Sequence, residues 1–336
     1  NYPLEDAEVI KKLKDAGAII LASTNMSEFA FAASNSLSSY GNVKNAFNTR
    51  YTPYGSSGGS AVAVALSFAA ASLGTDTNSS VRLPASAAGL VGLRPSLNLI
   101  STDGVIPYDT LRDTVGILSK TVEDNAILLS IMNEEEKTYE ANLESLEGIK
   151  IGVINSYLKG SSSSIRVNSK TDEDIYNLAS AKLKLLDDAG AELIYIDELL
   201  DSYYYNIATS TMSGDSFCDG FNNYITGTTG TIRSFRKLAL SKGKIYSLNG
   251  YLSSCNNAWT YDLNKVLEKK EIFENHILEV FDNYDLDLIV YPTTKNKVFT
   301  LSSGSSASAP GSFLGSVIGY PSIFYFYISK KSRCYY

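Results

Sequence analysis

Apolar positions between Leu4 and Asp15 recur at helical spacing, with Val9, Ile10 and Leu13 on one face and Gly17 as the stop. Ala18–Leu21 is a short unbroken apolar run, which predicts a buried strand, and a helix followed by a strand points to an α/β layered sheet. Residues 34–60 lose this periodicity and are rich in Ser, Asn, Gly and Tyr, predicting a long loop of the kind that carries function. Ala61 to Ser72 contains no charged residue and is apolar on all sides, which predicts a helix buried in the middle of the molecule. Leu73–Thr77 then reads as a strand or turn, Ser79–Ala85 as a turn into a short helix, and Gly89–Leu93 as another strand.

In the second half, residues 133–148 are acidic and polar and form a surface connection. Lys150–Ile154 reads as a strand. Thr171 and Asp174 form a capping box for a helix that carries Ile175, Leu178, Leu185 and Leu186 and stops at Gly190. Glu192–Ile196 closes a βαβ unit, which is expected to be right-handed and parallel. The stretch from about 200 to 280 is mostly helical, and Leu286–Pro292 returns to a strand. The chain shows no internal repeat. It reads as one large α/β domain with a helical bulge in its middle.

Composition narrows the function. The chain has 336 residues, 44% of them hydrophobic and 19% charged, and a formal charge of −7. This is a globular composition, and an acidic chain without a basic run is a poor partner for phosphate backbones, so direct nucleic-acid binding is not expected. No unbroken apolar stretch is long enough to span a membrane. No signal-peptide pattern opens the chain, which favours a cytoplasmic location. The three cysteines, Cys218, Cys255 and Cys334, match neither a disulfide framework nor a zinc site and read as idle thiols; no metal or other cofactor is implied. The single histidine, His276, sits in a helical pattern and reads as a helix-surface residue. If the protein hydrolyses anything, its base is not histidine.

Two clusters of small residues stand close together, Gly55–Ser60 and Gly74–Pro84. A Gly/Ser loop before a helix can cradle a phosphate, but the first cluster lacks the Lys-Ser/Thr of a P-loop and the spacing of a dinucleotide fingerprint. By itself it reads as a tight turn. Taken together, the clusters resemble the amidase signature family, whose Gly-Ser-Ser-Gly-Gly-Ser loop precedes Gly-(Ser/Thr)-Asp-Thr-Gly-Gly-Ser-(Ile/Val)-Arg-x-Pro. Ser56 and Ser80 stand 24 positions apart, the family's interval. The segments Ala16–Ala30, Asp113–Asp124 and Leu286–Thr294 also resemble family segments. The likeness is strong to about residue 125 and thin beyond.

The resemblance implies a three-layer amidase-signature fold with a mixed, mostly parallel central sheet covered by helices on both faces. It divides this single domain into a core at 1–130 with both serines, a variable region at 131–285, a return of the core at 286–330, and an atypical tail at 331–336. It implies a Ser–Ser–Lys chemistry that fits the absence of a usable histidine. Ser80 would be the nucleophile and Ser56, held by a cis peptide, the bridging serine. Thr77, Asn78, Ser79 and Ser80 would supply backbone N–H groups to an oxyanion hole, each worth about 3–4 kcal/mol of barrier when aimed at the developing charge. Asp76 and Arg82 would brace the turn as an ion pair, with Ser57 in a supporting role. A serine hydroxyl is a weak nucleophile until a base takes its proton, and a lysine serves once burial lowers its pKa.

Several positions depart from the family pattern. The family's base lysine would fall before Asn1, and no lysine here matches it. Either the chain is a piece of a longer amidase or it has lost that segment; the retention of both serines favours the first. Gly319–Ile323 resembles a family segment, whereas residues 330–336 do not. Asn78-Ser79 replaces a Gly-Gly pair that allows unusual backbone angles, and Tyr54 replaces a frequent Gly. The expected activity is hydrolysis of a small-molecule carboxamide. The alternatives are the glutaminase subunit of a tRNA-dependent amidotransferase, against which Leu83 weighs because that position is often polar there, and an inactive or binding protein of the same fold. Partners would be a second copy or amidotransferase subunits.

Overall fold

The computed structural model describes residues 1–141, 145–159, 171–197, 199–211, 216–242, 248, 252, 262–307, 309 and 311–324. The atypical tail lies outside them.

Two sheets organise the chain. The first has four strands in the order Ser322–Phe324, Val91–Arg94, Thr114–Ser119 and Ala71–Asp76, all neighbours antiparallel. Thr114–Ser119 is buried at every position, as befits a central strand. Successive residues face opposite layers. Leu118 packs with Ala61, Val64, Val81 and Ala85 from the helices Gly58–Ala65 and Arg82–Ala88 and the turn before the latter. Ile117 packs with Val9, Leu13, Leu129 and Met132 from the helices Glu8–Asp15 and Val122–Met132. Helices thus cover both faces.

The second sheet has three parallel strands, Leu288–Val290, Lys150–Ile154 and Glu192–Ile196. The helix Glu173–Asp188 joins the last two, so the βαβ unit read from the sequence is present. The helix Leu263–Tyr284 packs through Phe273 and Ile277 against Ile154, Ile207 and Leu314, bringing the helices Ser202–Ser210 and Ser312–Ile318 into one core.

The α/β class holds, with one refinement. Among the described residues parallel pairing is confined to the three-stranded sheet, whereas the expectation was of a mostly parallel one. Ala71–Asp76 and Val91–Arg94 do run the same way and are linked by a helix, but Thr114–Ser119 returns between them and makes both pairs antiparallel.

Other local expectations shift. Ala18–Leu21 is not a strand: Ile19 is 83% and Leu21 67% exposed, and no described strand pairs with them. The charge-free helix spans Gly58–Ala65 and leaves Phe68 exposed, because Ser67 at φ 62 turns the chain into the next strand. The cap of Glu173–Asp188 is Asp172, whose carboxylate accepts from the Asp174 N–H, while the Thr171 hydroxyl faces Tyr157 O. Cys218 is disulfide-bonded rather than an idle thiol. No described helix is long and apolar enough to cross a membrane.

Candidate active site

The first Gly/Ser segment is built by close backbone packing. A Cβ on Gly55 would sit 2.0 Å from Asn35 O and 2.5 Å from Ala32 O, so only glycine fits. The peptide between Gly55 and Ser56 is cis, as the resemblance implied. Ser36 organises the loop: its hydroxyl lies 2.9 Å from Tyr54 O and 3.0 Å from Ser56 O, and it accepts from the Gly58 N–H at 2.9 Å. The Ser27 N–H also donates to Ser56 O, at 2.9 Å. Tyr54 takes the left-handed φ of 59 where a glycine is frequent, and its buried ring meets Phe299 edge-on at 5.6 Å.

The second segment leaves the edge strand Ala71–Asp76, turns through Thr77–Val81 and enters the helix Arg82–Ala88. The two segments meet at the sheet edge. Ser57 Oγ accepts from the Thr75 N–H at 3.2 Å and lies 3.4 Å from Thr75 O. Gly74 is small for this reason, since a Cβ there would lie 2.6 Å from Ser57 Oγ. The Ser57 N–H donates to Ser80 O at 3.2 Å, which fixes one serine segment against the other. Both serines are nearly inaccessible, Ser56 at 0% and Ser80 at 7% exposure. Ser56 Oγ is buried and has no hydrogen-bond partner among the described residues, so the hydroxyl bridge to Ser80 is not closed. A buried hydroxyl left without a partner costs about 1–3 kcal/mol and calls for an explanation.

Behind the turn lies a charged network. Asp76 is fully buried and accepts from the Val81 N–H at 3.1 Å and from Arg82 Nε and Nη2 at 3.2 Å each. Arg94 Nη1 stands 3.6 Å from the same carboxylate. Burial pushes the Asp76 pKa up, but Arg82 and Arg94 outweigh it and hold the carboxyl below its ordinary value. Burial brings Arg94 down to about 10, Asp76 offsetting only part.

The sequence reading missed two further members. Asp113 accepts from Thr77 Oγ1 at 2.6 Å and from the N–H groups of Tyr108 and Asp109 at 2.7 and 2.8 Å. Burial nonetheless pushes it up to about 6, because desolvation exceeds what these bonds return. Arg112, fully buried, donates from Nη1 to Asn78 Oδ1 at 3.0 Å. Their only sequence signal is an adjacent Arg-Asp pair in a segment noted for family likeness.

Two other residues are placed away from chemistry. His276 stacks on Tyr204 with ring centroids 3.5 Å apart, and its Nε2 is 2.8 Å from Leu199 O. Leu83, whose identity bore on the choice of amide, is buried with Tyr54 and Ala87, so packing sets it. Among the described residues no His, Cys, Asp and Glu cluster is arranged to hold a metal ion.

The Amidase family model matches residues 1–321. The chain belongs to the amidase family. Among its relatives in that family, a glutamyl-tRNA(Gln) amidotransferase subunit from Exiguobacterium sibiricum is 31% identical over 322 residues, covering 89% of this chain and 65% of that protein. The corresponding subunit of Pseudomonas putida is 33% identical over 325 residues, covering 90% and 65%. The chain therefore spans just under two thirds of the length of these curated relatives. Among solved structures, native peptide amidase from Stenotrophomonas maltophilia aligns at a TM-score of 0.78 and 26% identity over 96% of this chain and 69% of that one. The glutamyl-tRNA(Gln) amidotransferase subunit from Thermotoga maritima aligns at 0.70 and 25% identity over 97% and 71%. These likenesses carry the amidase-signature fold to this chain.

Proposed function

We propose that this amidase-family protein hydrolyses a carboxamide to a carboxylic acid and ammonia through an acyl-enzyme on Ser80. The observation that carries this reading is the buried Ser56 hydroxyl, which has no partner among the described residues and lies on the segment bonded to the Ser80 backbone. A hydroxyl kept dry and unpaired is free to relay a proton.

In this mechanism Ser80 Oγ attacks the amide carbon while its proton passes to Ser56 Oγ and on to a base. The carbonyl oxygen gains the negative charge, which the N–H groups of the Thr77–Ser80 turn stabilise; those of Ser79 and Ser80 have no acceptor among the described residues. The C–N bond then breaks, the nitrogen takes the proton and leaves as ammonia, and an ester on Ser80 remains. Water attacks the ester, releasing the acid and restoring the hydroxyl. The base follows the family's pattern, a neutral lysine reaching Ser56, and no residue of this sequence matches it. Asp76 and Arg82 hold the turn rather than touch substrate.

A second reading is the ammonia-releasing subunit of a tRNA-dependent amidotransferase in the cytoplasm. It is favoured by the relatives from Exiguobacterium sibiricum and Pseudomonas putida, both of them amidotransferase subunits. The test is ammonia release from simple amides and from glutamine by the purified chain, with Ser80→Ala as control. The proposal expects Ser80→Ala to abolish any release that is seen, and equal release by the variant refutes the Ser80 assignment. Preference for glutamine, with co-purifying subunits, selects the second reading. No release by either chain, together with failure of a fluorophosphonate to label Ser80, selects a non-catalytic protein.

A further inference from the structure

Asn78 occupies a place where the family pattern has glycine, and both its oxygens are engaged by guanidinium groups. Arg82 Nη2 donates to its backbone carbonyl. Arg112 Nη1 donates to its side-chain Oδ1 at 3.0 Å, and Ser316 Oγ lies 3.2 Å from that same atom while also contacting Ser312 O at 2.8 Å. The first contact has a direct geometric consequence. A trans peptide unit is planar, so the direction of Asn78 C=O sets the opposite direction of the Ser79 N–H. That N–H has no acceptor among the described residues.

Arg112 extends the grip to another part of the molecule. Its Nη2 donates to Ala208 O at 2.9 Å and to Thr211 Oγ1, at the end of the helix Ser202–Ser210. The side chain is fully buried, and Asp109 is 3.9 Å away. A planar guanidinium fork can satisfy the turn and the helix end at once; an ammonium is a single point and cannot hold both in place.

Resting on the assignment of Ser80 as nucleophile, we propose that Arg112 is a positioning residue for the oxyanion turn: through the Asn78 side chain it fixes the peptide that presents the Ser79 N–H, and it ties that peptide to the end of the helix Ser202–Ser210. Asn78 thereby replaces the conformational freedom of glycine with an anchored side chain. The geometry of the turn becomes dependent on the helical region in the middle of the chain.

The test uses a fluorophosphonate probe, whose capture by Ser80 also develops charge on an oxygen. The limiting labelling rate and the half-saturating probe concentration are measured separately for wild type, Arg112→Lys, Asn78→Ala and the double variant. The proposal expects each single variant to lower the limiting rate about tenfold or more, as for weakened oxyanion donors. Half-saturation stays within about twofold, and the double variant is no slower than the slower single one, because both break one connection. Asn78 is only half-buried, so Asn78→Ala keeps the test open if Arg112→Lys fails to fold. Wild-type rates in Asn78→Ala, or effects that multiply in the double variant, overturn the inference. Absence of Ser80 labelling in the wild type instead removes the nucleophile assignment, and this inference with it.

Discussion

The Ser57 N–H donates to the carbonyl of Ser80, while the Ser57 side chain turns away to bond the backbone of Thr75. The two halves of one residue therefore serve different ends: the main chain joins the serine segments, and the hydroxyl completes the edge of the four-stranded sheet. Ser57→Ala keeps the first and loses the second. Stability should fall by about 0.5–1.5 kcal/mol, since the Thr75 N–H loses its acceptor in a partly buried place. The labelling rate of Ser80 should change less than about threefold. Urea denaturation and probe kinetics on the same preparation check both numbers, and a large kinetic loss at unchanged stability would give Ser57 a catalytic role instead.

Asp76 is the anion between two buried guanidiniums, Arg82 and Arg94. Asp76→Asn leaves those charges uncompensated, for which the expected destabilisation is about 3–5 kcal/mol. The urea midpoint should drop with little change in the denaturant slope. Because the Asp76 carboxyl is held below its ordinary value when folded, its stabilisation is present above the unfolded carboxylate range and is lost as the pH falls through the folded value. Acid unfolding of the wild type should be steep for this reason, and shallower in the variant.

Asp113 has the opposite sign. Its folded value near 6 exceeds the unfolded value near 4, so between these limits the folded protein holds more protons than the unfolded one. Stability contributed at this site should decline as the pH rises from about 4 to about 6. Asp113→Asn, which cannot ionise, should remove that decline. Thermal midpoints measured across this range for both proteins decide the matter; parallel curves would show that Asp113 titrates normally.

Tyr54 combines a strained backbone with a well-packed ring. Its φ of 59 is unfavourable for any residue but glycine, by roughly 1 kcal/mol or more. The ring is fully buried with Leu83 and Ala87, and burial pushes its phenol up to about 12. Tyr54→Gly relieves the backbone but empties a site whose loss is expected at about 3–5 kcal/mol, so the variant should be less stable overall. A higher melting temperature in the variant would mean that the strain outweighs the packing.

How legible the protein was depends on the range of the interaction concerned. The strands Lys150–Ile154 and Glu192–Ile196 with the helix between them were readable because their periodicity and length are local properties. So were the two Gly/Ser segments, since backbone approach as close as that at Gly55 demands glycine. Ala18–Leu21 misled, because an apolar run says nothing of whether another strand pairs with it. The network of Asp113, Arg112 and Asn78 was out of reach for a related reason. Arg112 bonds Asn78 across 34 positions and Asp113 bonds Thr77 across 36, and by itself an adjacent Arg-Asp pair reads as a solvated surface group.

The sequence by itself determined the family, the α/β class and the pair of serines at a set interval, because each rests on residue types that short stretches of chain require. The tertiary structure alone decided that the returning strand would make the four-stranded sheet antiparallel, that the Ser56 hydroxyl would be buried without a partner among the described residues, and that Arg112 would grip Asn78. These depend on which surfaces meet after folding. Burial changes the energetics of a hydroxyl or a charge far more than its neighbours in sequence do.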